Sequence, residues 1–472
     1  MRHKPRASCA MLALSLAAGL TPAARGETLT EAFAQAYQYN PTLTAQRAKL
    51  RATDEGVPQA LSGWRPTVLF TGAAGASAVD SRPSVSATGS NTQNLVPRTL
   101  DLNITQPIFT SGRTSGLVKQ AEHTVLAQRA QTVATEEQVL FSVAQAYLDV
   151  VLAQSVLELN INNEQVLRRQ LQVTTDQFRV GQGTRTDVAQ AESRLALATA
   201  DRVQSEGNLQ STRANYERVV GHPPAKLTAP KERPRLPATL EEALGLAQSS
   251  NPNVLFADFT AQAGEDNVQA TRGLLGPQIS IVGDVAKQAD IAIAGHELNE
   301  ASITARVTMP LYEAGSVYAQ TRAAKQTVTQ LRDQLLDARR AAVQQATRDW
   351  EQILSLRQRI TSLNATIRAA TIALEGVRQE EQAGTRTVLD VLNAQQELLS
   401  DQTSLVTTQH DLAIAEFDLA LQVGTLTAVD LKLPVEIYDV DKHYKEVRNK
   451  WFGFGSNGDT PSGAQPSSGP KP

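Results

Sequence analysis

The sequence predicts an α+β membrane protein, in which long α-helices form a coiled-coil barrel and four strands per chain join a transmembrane β-barrel shared by several chains. Three observations indicate this fold: the chain contains two copies of one sequence repeat, each copy contains a long proline-free helical stretch, and each copy contains strands with one apolar and one polar face. Only 4% of the 472 residues are aromatic, and Ala, Leu, Gln, Arg and Glu dominate long tracts. Such a composition is typical of extended helices packed closely together.

The first 26 residues have the pattern of a secretory signal peptide. Basic residues precede an apolar run at about residues 9–20, and small residues follow. The run is about half the roughly 20 residues that a membrane-crossing helix needs. The single cysteine, Cys9, lies at the start of the apolar run, with the run after it and not before it, and is therefore not placed for lipid attachment, so the mature chain should contain no thiol. Removal of this segment leaves a mildly acidic chain, which is a poor candidate for nucleic-acid binding.

Two copies of a unit of roughly 200 residues make up the rest of the chain. Residues 28–72 match residues 239–283 without gaps, and the match includes the Asn-Pro pairs that begin at Asn40 and Asn251. From Pro107 onward the second copy follows at a constant offset, so that Gly181 corresponds to Gly384. We therefore predict a first repeat at residues 27–220, a Pro-rich linker at 221–237, a second repeat at 238–433, and a C-terminal extension at 434–472 with a disordered tail.

Each repeat is predicted to contain the same series of elements. A helical stretch of about 35 residues opens it, at residues 28–62 and 239–273. Two strands follow, and the second of them alternates strictly between apolar and polar residues in LDLNITQPI (100–108) and ITARVTM (303–309). The segments between paired strands, such as VDSRPSVSATGSNTQN, are polar and predict loops.

A proline-free stretch comes next, at residues 112–178 and 315–381, and would be about 100 Å long as one helix. Its apolar positions in the second copy follow a 3,4 spacing, whereas the first copy has Asn160 and Glu164 on the same seam, which should be wetter. A last helix of about 35 residues follows each glycine turn. We expect the two short helices of a repeat to lie end to end beside the long one, in antiparallel packing.

Four strands with one apolar face cannot close a barrel, since spanning barrels start at about eight strands. Strands of about 10 residues match the roughly 9–11 residues of an outer-membrane span. Because one chain supplies only four of them, a closed barrel requires several chains. Three chains would give twelve strands, and the residues alone permit two or four chains equally. The alternative, a non-channel periplasmic coiled-coil scaffold, explains the helices but leaves the strands without a role.

Together these features resemble the TolC family of outer-membrane channel-tunnels. The resemblance covers residues 28 to about 433, and its most specific part is GTRTVLDVLNAQQELL at residues 384–399. It implies a homotrimer with a 12-stranded barrel in outer-membrane lipid and a helical tunnel in the periplasm. It also implies an exit duct that docks a periplasmic adaptor (membrane fusion) protein and an inner-membrane ABC transporter or proton-driven pump. The missing lipidated cysteine and the GTRTVLDVLNA block favour type I protein secretion over multidrug efflux.

The turns before the last helices carry predicted helix caps. In each copy a glycine ends the long helix, and a threonine follows that has an aspartate three residues later, which is close to a capping box. The glycines and threonines are Gly181, Thr184, Gly384 and Thr387, and the aspartates are Asp187 and Asp390. The caps are a sufficient structural explanation of these residues, but at the tip of a trimeric tunnel each side chain would also be repeated around the axis.

The resemblance assigns the closed entrance of the tunnel to these turns. It implies that Arg386, whose counterpart in the first copy is Gly183, bonds to Thr186 and Asp187. Charge-assisted bonds of this kind contribute about 1.5–3 kcal/mol each before screening by solvent. Three such links would be strong enough to bias a gate and weak enough for a partner to break.

Two positions depart from the family pattern. Glu381 stands where an aromatic latch is expected, and Asn393 stands where a second acidic ring is expected. Glu381 can pair with Arg386 or repel Asp187, which predicts a looser or pH-sensitive gate. Asp390 would form a single cation-attracting ring, which should select cations less strongly than a double one.

No motif predicts an enzyme. The six histidines lack metal-ligand spacing, and the sequence contains neither a complete phosphate-binding loop nor a Gly-x-Ser-x-Gly motif. We therefore expect neither a cofactor nor a metal.

Overall fold

The computed structural model describes residues 27–81, 91–230 and 232–455. The predicted signal peptide and the end of the C-terminal extension lie outside the described residues. The first copy contains α1 (Leu29–Tyr39), α2 (Pro41–Asp54), α3 (Gly56–Leu61), β1 (Thr67–Ala74), β2 (Ser77–Ser81), β3 (Asn91–Leu95), β4 (Arg98–Phe109), α4 (Arg113–Arg179) and α5 (Arg185–Val220). The second contains α6 (Leu240–Ser249), α7 (Pro252–Arg272), β5 (Gln278–Ala289), β6 (Glu297–Thr308), α8 (Ser316–Gln382) and α9 (Val388–Gln422), and α10 (Lys442–Val447) follows.

The two long helices, α4 and α8, have 67 residues each, and their predicted positions are confirmed to within one residue. Both begin after a glycine in the left-handed conformation, Gly112 (φ 82°) and Gly315 (φ 80°). As predicted, each packs along the short helices of its own copy: α4 along α5 and α1–α3, and α8 along α9, α6 and α7.

Helix α7 also packs along α4 of the other copy, which the sequence did not indicate. The two helices approach closely at Gly116, where a Cβ atom would lie 2.7 Å from the backbone nitrogen of Ala270. Only glycine leaves room for that approach. Helix α7 therefore links the two repeats into one bundle.

The opening helical stretches are not continuous, and this part of the prediction was wrong. The chain is extended at Asn40 (ψ 124°) and at Asn251 (ψ 123°), because a proline disfavours helical backbone in the residue before it. Each asparagine caps the helix that follows, and its Nδ2 donates to a carbonyl at the end of the last helix of the copy, Val219 (3.0 Å) or Gln422 (2.9 Å). The Asn-Pro pair thus fixes a bend between two helices and ties it to the end of the last helix of the same repeat. A further break at Glu55 occurs in the first copy alone.

The seams along the long helices differ as predicted. In the second copy, apolar side chains at the 3,4 positions of α8 pack with α6 and α9; they include Leu335, Ala342, Ala346, Trp350, Ile353 and Leu356. In the first copy the buried carboxylate of Glu164 accepts from Arg168 and Arg202, both at 2.7 Å, and Asn160 donates to Ser205 (2.7 Å). The wetter seam of the first copy is therefore confirmed.

The largest core lies where α1, α4, α5 and α9 meet. Tyr147 and Tyr216 are fully buried there, and the Tyr147 hydroxyl donates to the carbonyls of Glu27 (3.0 Å) and Thr228 (2.8 Å). Leu227 is part of the same core, so the Pro-rich linker is packed against the bundle. An 18-residue window of α4 is apolar enough to cross a membrane by composition, but 44% of it is buried inside the protein.

A buried carboxylate, Glu137 of α4, makes this core sensitive to pH. It is 1% exposed, and its Oε1 has no hydrogen-bond partner among the described residues. Burial raises the pKa of Glu137 to about 8; the neighbouring carboxylates Glu136 and Asp430 add to the rise, and a backbone hydrogen bond with Leu426 opposes it. The protonated, neutral form is therefore the one that the folded protein favours.

We expect stability to fall as pH rises from about 4.5, the ordinary pKa of a glutamate, to about 8, because the folded state binds this proton more tightly than the unfolded state does. Glu137→Gln should remove that contribution and raise the melting temperature most at alkaline pH. Thermal unfolding of the full chain across this pH range tests it, with Glu158→Gln, an exposed glutamate of the same helix, as the control. An unchanged pH dependence in Glu137→Gln would contradict the prediction.

Strands β1, β4, β5 and β6 form one antiparallel sheet in the order β1-β4-β5-β6. The pairing of β4 with β5 joins the two copies, with Leu102 opposite Val285 and Asn103 opposite Asp284. The polar segment after β1, predicted as a loop, also contains a separate hairpin of β2 and β3, so that prediction was incomplete. A hairpin forms through backbone hydrogen bonds, which largely polar residues such as those of β2 and β3 can make.

The register places apolar and polar side chains on opposite faces of the sheet, which confirms the predicted alternation. One face carries Val68, Phe70, Leu102, Ile104, Ile281, Val285, Ile303 and Val307. The other carries Thr71, Asp101, Asn103, Asp284, Glu300, Ser302, Thr304 and Arg306. The predicted fold class is thus confirmed: long helices with a four-stranded sheet at one end.

Candidate functional site

The candidate site lies at the end of the bundle opposite the sheet, in the turns between α4 and α5 and between α8 and α9. Gly181 (φ 79°) and Gly384 (φ 77°) both adopt the left-handed conformation. After each glycine, a backbone N–H returns to a carbonyl of the last helical turn, from Gln182 to Gln177 (2.8 Å) and from Thr385 to Glu380 (2.9 Å). The two long helices therefore end in the same way.

Both turns lead into capping boxes with nearly identical geometry. The Asp187 backbone N–H donates to Thr184 Oγ1 (3.2 Å), and Asp187 Oδ2 accepts from the Thr184 N–H (3.0 Å) and hydroxyl (2.7 Å). The corresponding distances for Thr387 and Asp390 are 3.3, 2.9 and 2.8 Å. The hydrogen bonds from Thr387 lower the pKa of Asp390, and the nearby Arg386 contributes to the same effect. Asp390 is therefore ionised at neutral pH.

Arg386 pairs with Glu380, a residue that no sequence motif singled out. Its Nε donates to Glu380 Oε2 at 3.0 Å, and about half of each side chain is exposed. The sequence suggested Glu381 as a partner of Arg386, whereas the ion pair within the single chain is with Glu380, the adjacent helical residue, which points about 100° away from Glu381. Glu381 is half-buried, and its carbonyl accepts from the Gly384 N–H (2.9 Å). The acidic pair before the turn was the signal that could have identified Glu380.

Thr186 is exposed, and within the described residues no hydrogen bond joins it or Asp187 to Arg386. The two turns nevertheless lie at a similar height along the axis of the helical bundle. Arg194 Nη2 of α5 donates to Asn393 Oδ1 of α9 at 3.0 Å. Because α5 and α9 both run away from their turns, this bond places the start of α9 beside the start of α5. No sequence signal pointed to Arg194.

The side chains at the two turns are charged or carry hydroxyl groups. No group of three or more His, Cys, Asp and Glu side chains suited to a metal ion occurs in the described ranges of the chain. The turns present exposed charged side chains that can form ion pairs, and carboxylates that can attract cations.

The model of the family described as "Outer membrane efflux protein" matches residues 32–222 and 243–425. The chain belongs to this family. The chain is 35% identical to the outer membrane efflux protein BepC of Brucella suis over 92% of this chain and 93% of that protein. It is 26% identical to the alkaline protease secretion protein AprF of Pseudomonas aeruginosa over 70% of each.

The fold of this family member also agrees with solved structures. The CmeC outer membrane channel of Campylobacter jejuni superimposes with a TM-score of 0.76 at 15% identity, with 90% of each chain covered. The resemblance to the TolC family is confirmed, and proteins named TolC are among the relatives. The chain is therefore an outer-membrane exit duct for secretion or efflux, with its helices in the periplasm.

Proposed function

We propose that several copies of the chain assemble into one export duct, and the open sheet is the observation that carries this proposal; the number three is the one that the TolC-family resemblance implies. Among the described strands, β1 and β6 each pair on one side only. Unpaired backbone groups in lipid cost several kcal/mol each, so an open sheet does not span a membrane. Pairing β1 of one copy with β6 of the next removes every edge, and three sheets of four strands give a barrel of twelve.

The helical part then forms the tunnel. The strands join one end of α4 and α8, which are each roughly 100 Å long, and the turns with their caps lie at the other end. With the sheet in the outer membrane, the turns form the periplasmic entrance, within reach of an inner-membrane transporter. We infer that a periplasmic adaptor protein docks on the outer surface of the helices and links the duct to an ABC transporter or a proton-driven pump.

The gate that we propose uses the residues identified at the turns. In the closed entrance, Arg386 links to Thr186 and Asp187, and the Arg194–Asn393 bond supports this by placing the two turns at a similar level. The link competes with the Arg386–Glu380 pair within one chain. Opening would leave Arg386 with Glu380.

The duct has two candidate classes of exported substrate, secreted proteins and small toxic compounds. Type I protein secretion is favoured by the sequence block at residues 384–399 and by the relative AprF, which is named for alkaline protease secretion. Multidrug efflux is favoured by BepC, which is named an efflux protein. A deletion strain distinguishes them: loss of an extracellular protein indicates secretion, and sensitivity to dyes and detergents with an unchanged set of extracellular proteins indicates efflux.

The ring of Asp390 carboxylates supplies the direct test of the duct. In planar bilayers the purified protein should form stable pores that prefer cations. Asp390→Asn should lower the cation-to-anion permeability ratio by roughly twofold or more, because an amide still accepts the capping bonds but carries no charge. Asp201→Asn, which removes an exposed carboxylate from the middle of α5, is the control. A protein that never forms pores and stays soluble without detergent would support the periplasmic scaffold instead.

A further inference from the structure

The described part of the C-terminal extension finishes with an exposed aromatic loop, residues 450–455, that the duct function does not use. Trp451, Phe452 and Phe454 project from it, and Phe452 is 86% exposed. Aromatic residues are only 4% of the chain, so three within four positions are unusual. A contiguous apolar patch of this kind indicates a surface that meets a partner or a membrane.

The aromatic loop has a defined structure. Lys450 Nζ donates to the Gly455 carbonyl (2.7 Å) and closes the loop, and Gly453 makes the turn with a φ of 111° that strongly favours glycine. Arg65 Nη1 donates to the Lys450 carbonyl (2.8 Å), and its guanidinium lies 5.0 Å from the centre of the Trp451 ring. These contacts hold the aromatic side chains outward at one place.

The segment before the loop runs along α4 toward the sheet. Asp441 pairs with Arg129 (2.6 Å), and seven residues later Arg448 pairs with Glu122 (2.9 Å), which is about two helical turns closer to the start of α4. His443 Nδ1 also lies 3.0 Å from the buried Asp54 of α2. The extension is thus attached to the bundle at several points, and these contacts place the aromatic loop at the end of the bundle that adjoins the sheet.

The aromatic loop lies beside the residues that immediately precede β1, at the junction between the helices and the sheet. Arg65, which holds it, lies two residues before β1 starts at Thr67, and the Trp64 carbonyl accepts from Gln106 of β4 (2.9 Å). Other exposed aromatic side chains occur at the strand ends on this side, at Phe109 and just past the end of β6. Two of the three tryptophans of the chain, Trp64 and Trp451, are therefore at this boundary.

We propose that the aromatic loop enters the interface of the periplasmic leaflet of the outer membrane and attaches the helical part of each protomer to lipid. Tryptophan and other aromatic rings favour the region between headgroups and acyl chains, where their edges stay partly hydrated. Arg65 and Lys450 lie beside the rings, where their positive charges would meet phosphate groups. This inference rests on the proposed placement of the sheet in the membrane and adds a contact outside the barrel.

Trp451 fluorescence tests the proposal directly. The full chain carrying Trp64→Phe and Trp350→Phe, so that Trp451 is the single tryptophan, is reconstituted as assembled channels in phosphatidylethanolamine and phosphatidylglycerol vesicles with or without dibromostearoyl phosphatidylcholine. We expect brominated lipid to remove roughly half or more of the Trp451 emission, since bromine quenches at contact and the ring lies at lipid depth. A second protein with Trp350 alone, in the helical bundle, is the control and should be unaffected. Adding Arg65→Ala to the Trp451 protein should reduce the quenching.

Two results would overturn the proposal. Emission that brominated lipid leaves unchanged while aqueous acrylamide quenches it would place Trp451 in water. Emission that neither reagent quenches would place it against a neighbouring protomer. Conductance measured on the same vesicles separates this inference from the proposed function: pores without lipid quenching refute the loop contact alone, whereas absence of pores refutes the duct.

Discussion

Replacing Ile303 by lysine should prevent most of the protein from assembling in the outer membrane. Ile303 is near the middle of β6, on the apolar face of the sheet, and is 84% exposed in the single chain. A lysine that faces lipid near the middle of a membrane costs about 2–4 kcal/mol, and an assembled trimer would contain three of them. The measurement is the amount of heat-resistant oligomer in outer-membrane fractions, relative to the unmodified protein.

The adjacent residue provides a matched control. Thr304 is on the opposite face, among Asp284, Glu300 and Arg306, which would line the aqueous lumen. Thr304→Lys should therefore assemble normally and change only ion conduction. Equal loss of assembly in both variants would show that the faces are not divided between lipid and water, and would contradict the barrel.

Changes at Arg386 and Glu380 should shift the entrance in opposite directions. Arg386→Ser removes the proposed link to Thr186 and Asp187, and the open probability of single channels should rise by about tenfold, as expected when a few partly solvated charge-assisted bonds are lost. Glu380→Gln removes the competing pair seen within the chain at 3.0 Å, so Arg386 becomes available for the link and the open probability should fall.

Arg185→Ser is the control for both variants. The four residues Gly-Thr-Arg-Thr of 384–387 also occur at 183–186 in the first copy, two residues out of register with the repeat, and Arg185 is the arginine there. It is the first residue of α5 and is exposed. Its removal should leave gating unchanged. If the loss of any positive charge from these turns opened the channel, Arg185→Ser would match Arg386→Ser, and the gate would have to be placed elsewhere.

Most of the helical architecture could be predicted because its signals are local. Glycines that adopt positive φ at residues 112, 181, 315 and 384 mark the ends of helices, and the threonine-aspartate caps lie three residues apart. The strands follow from alternation with a period of two. The Asn-Pro breaks were missed because the helical pattern continues across them, and the β2–β3 hairpin was missed because its residues are largely polar.

The long helices, the two-faced strands and the capped turns could be predicted because each depends on residues that are close along the chain, and the duplicated unit could be predicted by aligning the chain with itself. Which distant parts of the chain meet is visible only in the folded protein: α7 beside α4, Arg194 with Asn393, and the C-terminal aromatic loop beside Arg65. Such contacts depend on where separate helices place their side chains in space. A pattern within one helix does not contain that information.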